Sequence, residues 1–304
     1  MTGSQDFAAD PRNATALIYL NGRLVPRAAA TVSIFDAGFV VGDGVWEGLR
    51  LHRGVLLFLD EHLDRLYWGA KKISLDIGLD RQTLIRELQR TLTTNAMRDG
   101  VHIRLMVTRG EKSAPNQDPR NALGKPTIAI VAEYKQPNPK LLSEGVSLFT
   151  SSIRCSPQQM FDMRLNSHSR LNLIIALLEA IEAGADEALM LDPHGFVSSC
   201  NATNFFFVRD GVVMTSSGEY CFNGITRSKV IALCQQHSLP IRCGNFALAE
   251  AQAADEAFVT GTFGGITPVR EIDGRTLAAA LPGPITRRMR QLLDAVKDAQ
   301  AAGP

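Results

Sequence analysis

The sequence predicts an α/β protein of two domains. Its 304 residues are enough for two domains of ordinary size, and 45% apolar with 21% charged residues is typical of a globular chain. Segments with the apolar spacing of strands and of helices follow one another along the chain. Residues 135–141 contain two prolines with polar neighbours, which discourage helix and sheet and indicate a linker. We therefore expect a mobile tail at 1–12, a smaller N-terminal α/β domain at 13–134 and a larger C-terminal domain at 142–304.

The N-terminal domain is expected to alternate strands and helices. Ala16–Leu20 alternates and is followed by an Asn-Gly pair, which is typical of a hairpin turn. Asp60 has the side chain of an N-cap, and the apolar residues behind it share one helical face. A second helix is expected from about Arg81 to Met97. Val101–Thr108 alternates with period two and Thr127–Ala132 is a short apolar run, so both are predicted strands.

The C-terminal domain shows the same mixture. Its predicted strands are short apolar runs, two of them followed by turns at His194-Gly195 and Asp210-Gly211. The predicted strands are Val146–Ser151, Glu187–Leu191 and Asn204–Val208; the predicted helices run from about Ser169 to Ala183, from Thr226 and from near Pro284.

Composition excludes several classes of protein. A formal net charge of +1 argues against nucleic acid as a partner. The sequence contains no run of about 18 apolar residues, so we expect no membrane span. Five cysteines are scattered without CxxC spacing, which argues against a disulfide framework or a metal site and favours a cytoplasmic location.

Four separated segments have the chemistry to hold a phosphate. Asn223–Arg227 is a glycine turn that enters a helix, whose first N–H groups and dipole favour an anion. Thr260–Pro268 is a glycine-rich loop after an apolar strand, and Thr262 offers a hydroxyl. Arg65 offers a fork of donors, and Asp43–Arg50 adds a wall flanked by glycines.

In this order the segments resemble the class IV (fold type IV) pyridoxal phosphate (PLP)-dependent aminotransferases, a family that includes branched-chain and D-amino-acid aminotransferases. The resemblance extends from about Leu17 to Met289. It implies a cofactor cleft between two α/β domains, PLP or pyridoxamine phosphate as cofactor, a small amino acid and its 2-oxo acid as substrates, and a homodimer. The matching stretches are Asp43–Gly48 with Arg50, Glu61-His62 with Arg65-Leu66, Glu179-Ala180, Asp186–Ala188, Gly224–Arg227, Asp255-Glu256, Thr260–Thr262 and Ile266–Val269.

The resemblance also assigns roles to individual residues. It implies that the cofactor is held by Arg65, Ser199, Asn204, Ile225, Thr226 and Thr262. It implies a substrate pocket lined by Phe39, Trp46, His102, Arg104, Arg170 and Phe263. The period-two alternation of Val101–Thr108 independently puts His102 and Arg104 on one face of a strand, where Arg104 is a candidate to position a substrate carboxylate.

The sequence departs from the family at its lysine. The family has a lysine thirteen residues before the glutamate of Glu179-Ala180, and here that position is Asn166. A lysine serves as imine nucleophile and as proton carrier, and asparagine performs neither task. His168 is the candidate to move protons in its place, with a pKa expected near neutrality.

A second departure lies at the pyridine nitrogen. The family has a glutamate at the position of Ser199, where a carboxylate keeps the ring nitrogen protonated. A serine hydroxyl forms a hydrogen bond but adds no charge.

Three functions agree with these departures. The first is an aminotransferase-like protein that binds PLP or pyridoxamine phosphate without a covalent link and whose transamination is weak or lost. The second is a lyase or isomerase that takes a phosphorylated ligand in the same site. The third is a non-catalytic protein that binds a metabolite. We expect the first, because the resemblance includes the pocket walls as well as the phosphate-binding segments.

Overall fold

The computed structural model describes residues 3–277 and 279–303. These residues divide into two compact units. The N-terminal unit contains Ala8–Gln136 and Leu165–Arg170, and the C-terminal unit contains residues 3–7, Pro137–Arg164 and Leu171–Ala302. In the described part of the chain, no helix combines the length and apolar character that crossing a bilayer requires.

The N-terminal unit is built on an antiparallel sheet of six strands in the order β2-β1-β6-β5-β3-β4. Apolar side chains of α2 and α3, among them Leu63, Leu66, Leu84 and Leu88, share one core with the inward residues of the sheet. The strands are β1 (Leu17–Leu20), β2 (Arg23–Pro26), β3 (Gly44–His52), β4 (Val55–Leu56), β5 (Val101–Thr108) and β6 (Thr127–Tyr134); the helices are α1 (Ala37–Val41), α2 (Leu59–Lys72) and α3 (Arg81–Thr94).

The C-terminal unit contains a mixed sheet in the order β12-β11-β10-β13-β14-β7-β8-β9, with β15 paired to β14. Strand β7 runs parallel to β14 and β8, and β11 runs parallel to β12. The strands are β7 (Val146–Thr150), β8 (Glu187–Leu191), β9 (Val197–Cys200), β10 (Asn204–Arg209), β11 (Val212–Ser216), β12 (Ile241–Gly244), β13 (Glu256–Gly261), β14 (Gly265–Ile272) and β15 (Arg275–Thr276). The helices are α4 (Leu141–Glu144), α5 (Leu171–Glu182), α6 (Ile225–Gln236), α7 (Leu248–Gln252) and α8 (Pro284–Ala302).

Strand β10 lies at the centre of the C-terminal core. Its residues are buried on both faces, so Phe205 and Phe207 enter one apolar cluster while Phe206 enters another. The second cluster also contains Val230 of α6 and Met289 of α8, so these helices cover that face.

Several predicted elements are confirmed. The β1–β2 hairpin turns at Asn21 and Gly22, both with positive φ, and β5 has the bounds that its alternation predicted. The predicted N-cap of α2 is wrong, because the helix begins at Leu59 and its N-cap residue is Phe58, two residues before Asp60, in the left-handed region at φ 53°. Asp60 lies in the first turn and binds Arg81 at 2.7 Å.

The predicted start of α5 at Ser169 is also wrong. The helix begins at Leu171, and residues 165–170 belong to the N-terminal unit, where Ser167 pairs with Val45 of β3. The physical reason is that β4 pairs only with the far end of β3, so its near end offers backbone groups to this segment.

Residues 3–7, expected as part of a tail, contact the C-terminal core. Ser4 is 1% exposed, and its backbone N–H donates to the carboxylate of Glu187 at 2.7 Å. Burial raises the pKa of Glu187, which also accepts a hydrogen bond from the Thr203 hydroxyl.

Candidate functional site

The expected site residues divide between the two units. Ser199, Asn204, Ile225, Thr226, Thr262 and Phe263 lie in the C-terminal unit, and Phe39, Trp46, Arg65, His102, Arg104, Asn166, His168 and Arg170 lie in the N-terminal unit.

In the C-terminal unit, the start of α6 has the properties of an anion site. Gly224 is the N-cap residue, and no side chain caps the helix. The backbone N–H groups of Ile225 and Thr226 therefore have no acceptor within the helix, and the helix dipole favours negative charge there. Thr226 is 7% exposed, so an anion at this end would be partly shielded from water.

Asn204 fixes the loop in front of this helix. Its side-chain Oδ1 accepts from the N–H of Gly224 at 3.1 Å, and Nδ2 donates to the Phe222 carbonyl at 2.6 Å. A Cβ on Gly224 would lie 2.4 Å from Asn204 Oδ1, so only glycine permits this approach. The role of Asn204 in this structure is to position the loop and the helix end.

The glycine turn between β13 and β14 adds donors to the same unit. Thr260 pairs with Asn204 across the sheet. Its hydroxyl is buried and has no hydrogen-bond partner among the described residues. Thr262 is half-buried in the turn, whereas Phe263 is 5% exposed and packs edge-on against Phe7 with ring centres 6.3 Å apart. A buried hydroxyl without a hydrogen-bond partner, next to the residue that fixes the loop before α6, is what a ligand rich in acceptor oxygens requires.

Ser199 lies on β9 and is 5% exposed. Its hydroxyl donates to the Thr203 carbonyl at 2.7 Å and accepts from Asn204 Nδ2 at 3.3 Å. Its proton is therefore already engaged with a backbone carbonyl. A serine hydroxyl at this position carries no negative charge.

In the N-terminal unit, residues 166–168 pair with the start of β3. The N–H of Trp46 donates to the Asn166 carbonyl at 3.0 Å, and the N–H of His168 donates to the Gly44 carbonyl at 3.1 Å. Asn166 is 5% exposed, and both ends of its amide are engaged: Nδ2 donates to the Trp46 carbonyl at 2.6 Å, and Oδ1 accepts from Arg170 at 2.5 Å. This position offers neither an amine nor a free acceptor.

Two cationic side chains of this unit, Arg104 and Arg170, lie close to the ring of Trp46. Its indole N–H donates to the Ser167 carbonyl at 3.0 Å. The guanidinium carbon of Arg104 lies 3.5 Å from the ring centre and that of Arg170 lies 5.8 Å from it. Residues 46 and 106, and 48 and 104, are direct cross-strand partners of β3 and β5, which places these side chains on one face of the sheet.

His102 and Arg104 share this face, as the alternation predicted. Burial, with help from Lys135, Arg50 and Arg104, lowers the pKa of His102 to about 3. The imidazole is therefore neutral at ordinary pH.

His168 does not have the pKa that the sequence led us to expect. Burial, reinforced by Arg104, lowers its pKa to about 4, and its Nε2 is buried without a hydrogen-bond partner among the described residues. A neutral imidazole with this pKa is a weak base, because the site penalises its charged form.

Arg65 is held by a carboxylate that sequence analysis did not assign a role. Its Nε and Nη2 donate to the two oxygens of Glu47 at 2.8 and 2.7 Å, and His62 Nδ1 lies 2.7 Å from the same carboxylate. Burial by itself would raise the pKa of Glu47, but Arg65 and His62 outweigh it and hold the pKa below its ordinary value.

A pattern in the sequence could have revealed Glu47. On β3, Val45, Leu49 and Leu51 face the core, and Glu47 occupies the position between them, fully buried. An acid at a core position requires a partner, which the tertiary structure supplies from α2.

Phe39 has a different environment from the one expected of a pocket residue. It lies on α1 and is 71% exposed within the N-terminal unit, near other exposed apolar side chains of the segment before it.

Comparison with known proteins identifies the family. The family model for amino-transferase class IV matches residues 44–272. The chain belongs to the class IV aminotransferases, and its fold is that of the fold type IV branched-chain aminotransferases.

Relatives of known name agree with this assignment. The chain is 41% identical over 276 residues to a putative branched-chain-amino-acid aminotransferase of Methanocaldococcus jannaschii, covering 90% of this chain and 94% of that protein. It is 38% identical over 288 residues to the branched-chain-amino-acid aminotransferase-like protein 2 of Arabidopsis thaliana, covering 95% of this chain but 51% of that protein. The chain thus spans about half the length of the Arabidopsis relative.

A solved structure has the same fold. The branched-chain aminotransferase of the archaeon Thermoproteus uzoniensis with norvaline superposes with a TM-score of 0.82 at 32% identity, covering 92% of this chain and 94% of that one. Another solved branched-chain amino acid aminotransferase, with pyridoxamine 5'-phosphate, superposes with a TM-score of 0.85 at 29% identity, covering 93% of this chain and 94% of that one.

Proposed function

We propose that this chain is an aminotransferase-like protein that binds PLP or pyridoxamine phosphate without a covalent link. In this proposal a small amino acid and its 2-oxo acid are the substrates, and transamination is weak or lost. The observation that carries it is the state of Asn166, whose amide is engaged at both ends, at the position to which the resemblance assigns the family's lysine.

The residues present fit the phosphate end of the cofactor. The uncapped start of α6, the buried Thr226 and the orphaned hydroxyl of Thr260 supply donors within one unit. Charge-assisted hydrogen bonds of this kind contribute about 1.5–3 kcal/mol each, so a few of them retain a dianion without an imine. We assign Ile225, Thr226 and Thr262 to this task. Arg65 lies in the other unit, where its charge is shared with Glu47.

The residues present do not fit two tasks of the family's chemistry, covalent attachment of the cofactor and activation of its ring. A bound PLP supplies an electron sink for the substrate's Cα in this family. Here Ser199 adds no carboxylate at the ring nitrogen, Asn166 adds no amine, and the low pKa of His168 makes it a poor proton acceptor. These three side chains leave binding and orientation as the functions that this chain performs best.

Spectroscopy of the purified protein tests the proposal. We expect added PLP to bind with the absorbance of the free aldehyde, to leave on gel filtration in phosphate buffer, and to give no protein adduct after borohydride reduction. Thr262→Val is expected to weaken binding at least about tenfold. Absence of any affinity for PLP and for pyridoxamine phosphate in a titration would refute the proposal.

The alternative is a lyase or isomerase that holds a phosphorylated substrate in the same donors. The neutral environment of Ser199 favours it, because such a ligand needs no pyridinium partner. Mass spectrometry of small molecules released from the purified protein separates the two. A phosphorylated ligand other than a vitamin B6 compound would support the alternative.

A further inference from the structure

Residues 3–7, which we call the N-terminal strap, lie against the glycine turn between β13 and β14 in the C-terminal unit. The ring of Phe7 packs edge-on against Phe263, with ring centres 6.3 Å apart. A Cβ on Gly264 would lie 3.1 Å from the Ser4 carbonyl oxygen, so the backbone of the strap closely approaches that of the turn. The strap therefore limits where this turn can lie.

The strap is fixed to its unit near both ends. The N–H of Ser4 donates to the carboxylate of Glu187 at 2.7 Å. The backbone N–H of Asn138 donates to the Asp6 carbonyl at 3.2 Å, and its side-chain amide donates to the Asp6 carboxylate at 2.9 Å. These partners lie 183 and 132 positions away in the sequence, so the strap is held by the folded C-terminal unit and not by its own neighbours.

Glu187 connects the strap to the start of α6. Its second carboxylate oxygen accepts from the Thr203 hydroxyl at 2.8 Å. The Thr203 carbonyl accepts from Ser199 at 2.7 Å, and the Ser199 hydroxyl accepts from Asn204 at 3.3 Å. Asn204 in turn accepts from the N–H of Gly224 at 3.1 Å. The side chains of this chain of hydrogen bonds are buried, so a partner that is lost is not readily replaced by water.

The strap supplies a donor that Glu187 requires. This carboxylate is 2% exposed, and burial raises its pKa, while the hydrogen bonds from Ser4 and Thr203 act in the opposite direction. If the strap were released, one buried carboxylate oxygen would lose its donor, which is costly. Thr203 would respond first, and its methyl group also faces the glycine turn, 3.5 Å from where a Cβ on Gly261 would lie.

We propose that the N-terminal strap is a positioning segment for the phosphate-binding groups of the C-terminal unit. It holds the glycine turn directly, through Phe7, and the start of α6 indirectly, through Glu187. Binding of an anion and docking of the strap are then linked, and each raises the equilibrium constant of the other by the same factor. The phosphate-bearing ligand rests on the proposed function, whereas the positioning of the turn and the helix end does not.

Two variants test the two connections. Phe7→Ala removes the contact with the turn, and Thr203→Val removes the hydroxyl that joins Glu187 to the rest of the chain of hydrogen bonds. Each is expected to weaken PLP binding in the absorbance titration at least about fivefold. Phe7 is 43% exposed, so its truncation is expected to leave the melting temperature nearly unchanged. Phe7→Tyr keeps the edge-on ring and is expected to restore the wild-type affinity.

Asp10→Ala is the matched control. Asp10 follows the strap in the sequence but lies in the N-terminal unit, where its carboxylate binds Arg12 at 2.6 Å. It is expected to change neither PLP affinity nor the conformation of the turn.

Hydrogen exchange followed by mass spectrometry gives a second measurement, which needs no ligand. In Phe7→Ala and Thr203→Val we expect faster exchange in segments 260–265 and 224–227 than in the wild-type chain, with unchanged exchange in β5 of the other unit. In the wild-type chain, saturating PLP is expected to slow exchange of residues 3–7, because the linkage is reciprocal.

Unchanged exchange of both segments in the two variants would overturn the proposal, and so would the same changes in Asp10→Ala. If the wild-type chain binds PLP, an unchanged affinity in Phe7→Ala would overturn it as well. A wild-type chain without affinity for PLP and pyridoxamine phosphate would refute the proposed function. Faster exchange in the variants of such a chain would still support the positioning role of the strap.

Discussion

At the residue scale, the contacts of Asn166 depend on its side chain being an amide. An amide has a donor and an acceptor, and here the donor meets the Trp46 carbonyl while the acceptor meets Arg170. A lysine has three donors and no acceptor, so it cannot reproduce this bridge. The surroundings of Asn166 are therefore adapted to the amide and not to an amine.

These contacts predict that a lysine at position 166 is destabilising. Asn166→Lys puts an ammonium beside the Arg170 guanidinium and removes its acceptor, which is expected to lower the free energy of unfolding by about 1–3 kcal/mol. Asn166→Met has a similar length without the charge and is expected to cost less. Chemical denaturation of the two variants measures the difference, and equal stability would contradict the electrostatic argument.

Removing the opposing charge is expected to allow covalent capture of PLP by a lysine at position 166. In Asn166→Lys with Arg170→Gln, we expect PLP to become attached to the protein after borohydride reduction, detected as a mass increase of the intact chain. The same treatment of Asn166→Lys alone is expected to give less adduct, because a neighbouring cation disfavours the imine's protonated form. Adduct formation in the wild-type chain would show that another lysine reaches the ligand.

At the scale of elements, the start of α6 depends on a glycine. Gly224→Ala would put a methyl group 2.4 Å from Asn204 Oδ1, so the loop or the helix end must shift. We expect at least a tenfold loss of PLP affinity in the absorbance titration. Gly244→Ala is the matched control, because its Cβ would meet only Phe246 at 3.7 Å and should change neither affinity nor melting temperature. Unchanged affinity in Gly224→Ala would exclude this helix end as the phosphate site.

The helix α5 carries an exposed apolar stripe. Leu171, Ile174 and Leu178 are 68%, 53% and 51% exposed, and their spacing puts them on one face, with Ala176 and Ala180 buried on the other. A contiguous apolar surface of this kind is typical of an interface. The homodimer implied by the resemblance stays a prediction, and we expect α5 to take part in it.

Sedimentation velocity tests this expectation. Ile174→Glu with Leu178→Glu is expected to shift the protein from dimer to monomer, because burying two carboxylates in an apolar contact is costly. Gln235→Glu with Gln236→Glu adds the same charge to exposed positions of α6 and should leave the dimer intact. A wild-type chain that sediments as a monomer at all concentrations would contradict the prediction.

At the scale of the whole molecule, buried histidines make stability depend on pH. His102 and His168 have folded pKa values of about 3 and about 4, below the value of about 6.5 in an unfolded chain. His102 faces Lys135, Arg50, Arg104 and His62, and His168 faces Arg104, Asp36 and Arg170. The net effect on both is to oppose protonation.

The direction of this pH dependence follows from which state, folded or unfolded, binds the proton more readily. Above about pH 6.5 both states are neutral at these histidines and nothing is lost. As the pH falls below that value, the unfolded chain binds protons at these histidines and the folded chain does not. Stability therefore decreases until the pH reaches the folded pKa values. Each histidine lowers the free energy of unfolding by up to about 1.4 kcal/mol per pH unit in this window.

Thermal unfolding between pH 7.5 and 5 measures this effect. The melting temperature of the wild-type chain is expected to fall with pH, and His102→Gln is expected to flatten the slope even where it lowers the melting temperature itself. His237→Gln, at an exposed position after α6, serves as the control and should leave the slope unchanged. A wild-type melting temperature independent of pH in this range would contradict the assigned pKa values.

Local patterns predicted several central elements of the fold. The alternation of Val101–Thr108 predicted β5 and the shared face of His102 and Arg104, because side-chain direction in a strand follows from position alone. The resemblance carried by the glycine and threonine motifs predicted the family. The predicted start of α2 was wrong, because Phe58 adopts a left-handed conformation, which is uncommon for a phenylalanine and which the sequence does not indicate.

Several contacts of the candidate site join residues far apart in the sequence, so local patterns do not predict them. Glu47 meets Arg65 across 18 positions, and Asn166 meets Trp46 across 120. The sequence specified that Asn166 occupies the position to which the resemblance assigns a lysine, and that Arg170 follows it. The pairing of residues 166–168 with β3 makes the Asn166 amide a bridge between a carbonyl and a guanidinium, and burial moved the pKa of His168 away from neutrality. Hydrogen-bond partners and desolvation depend on which groups folding brings together, whereas residue identity and periodicity are already present in the unfolded chain.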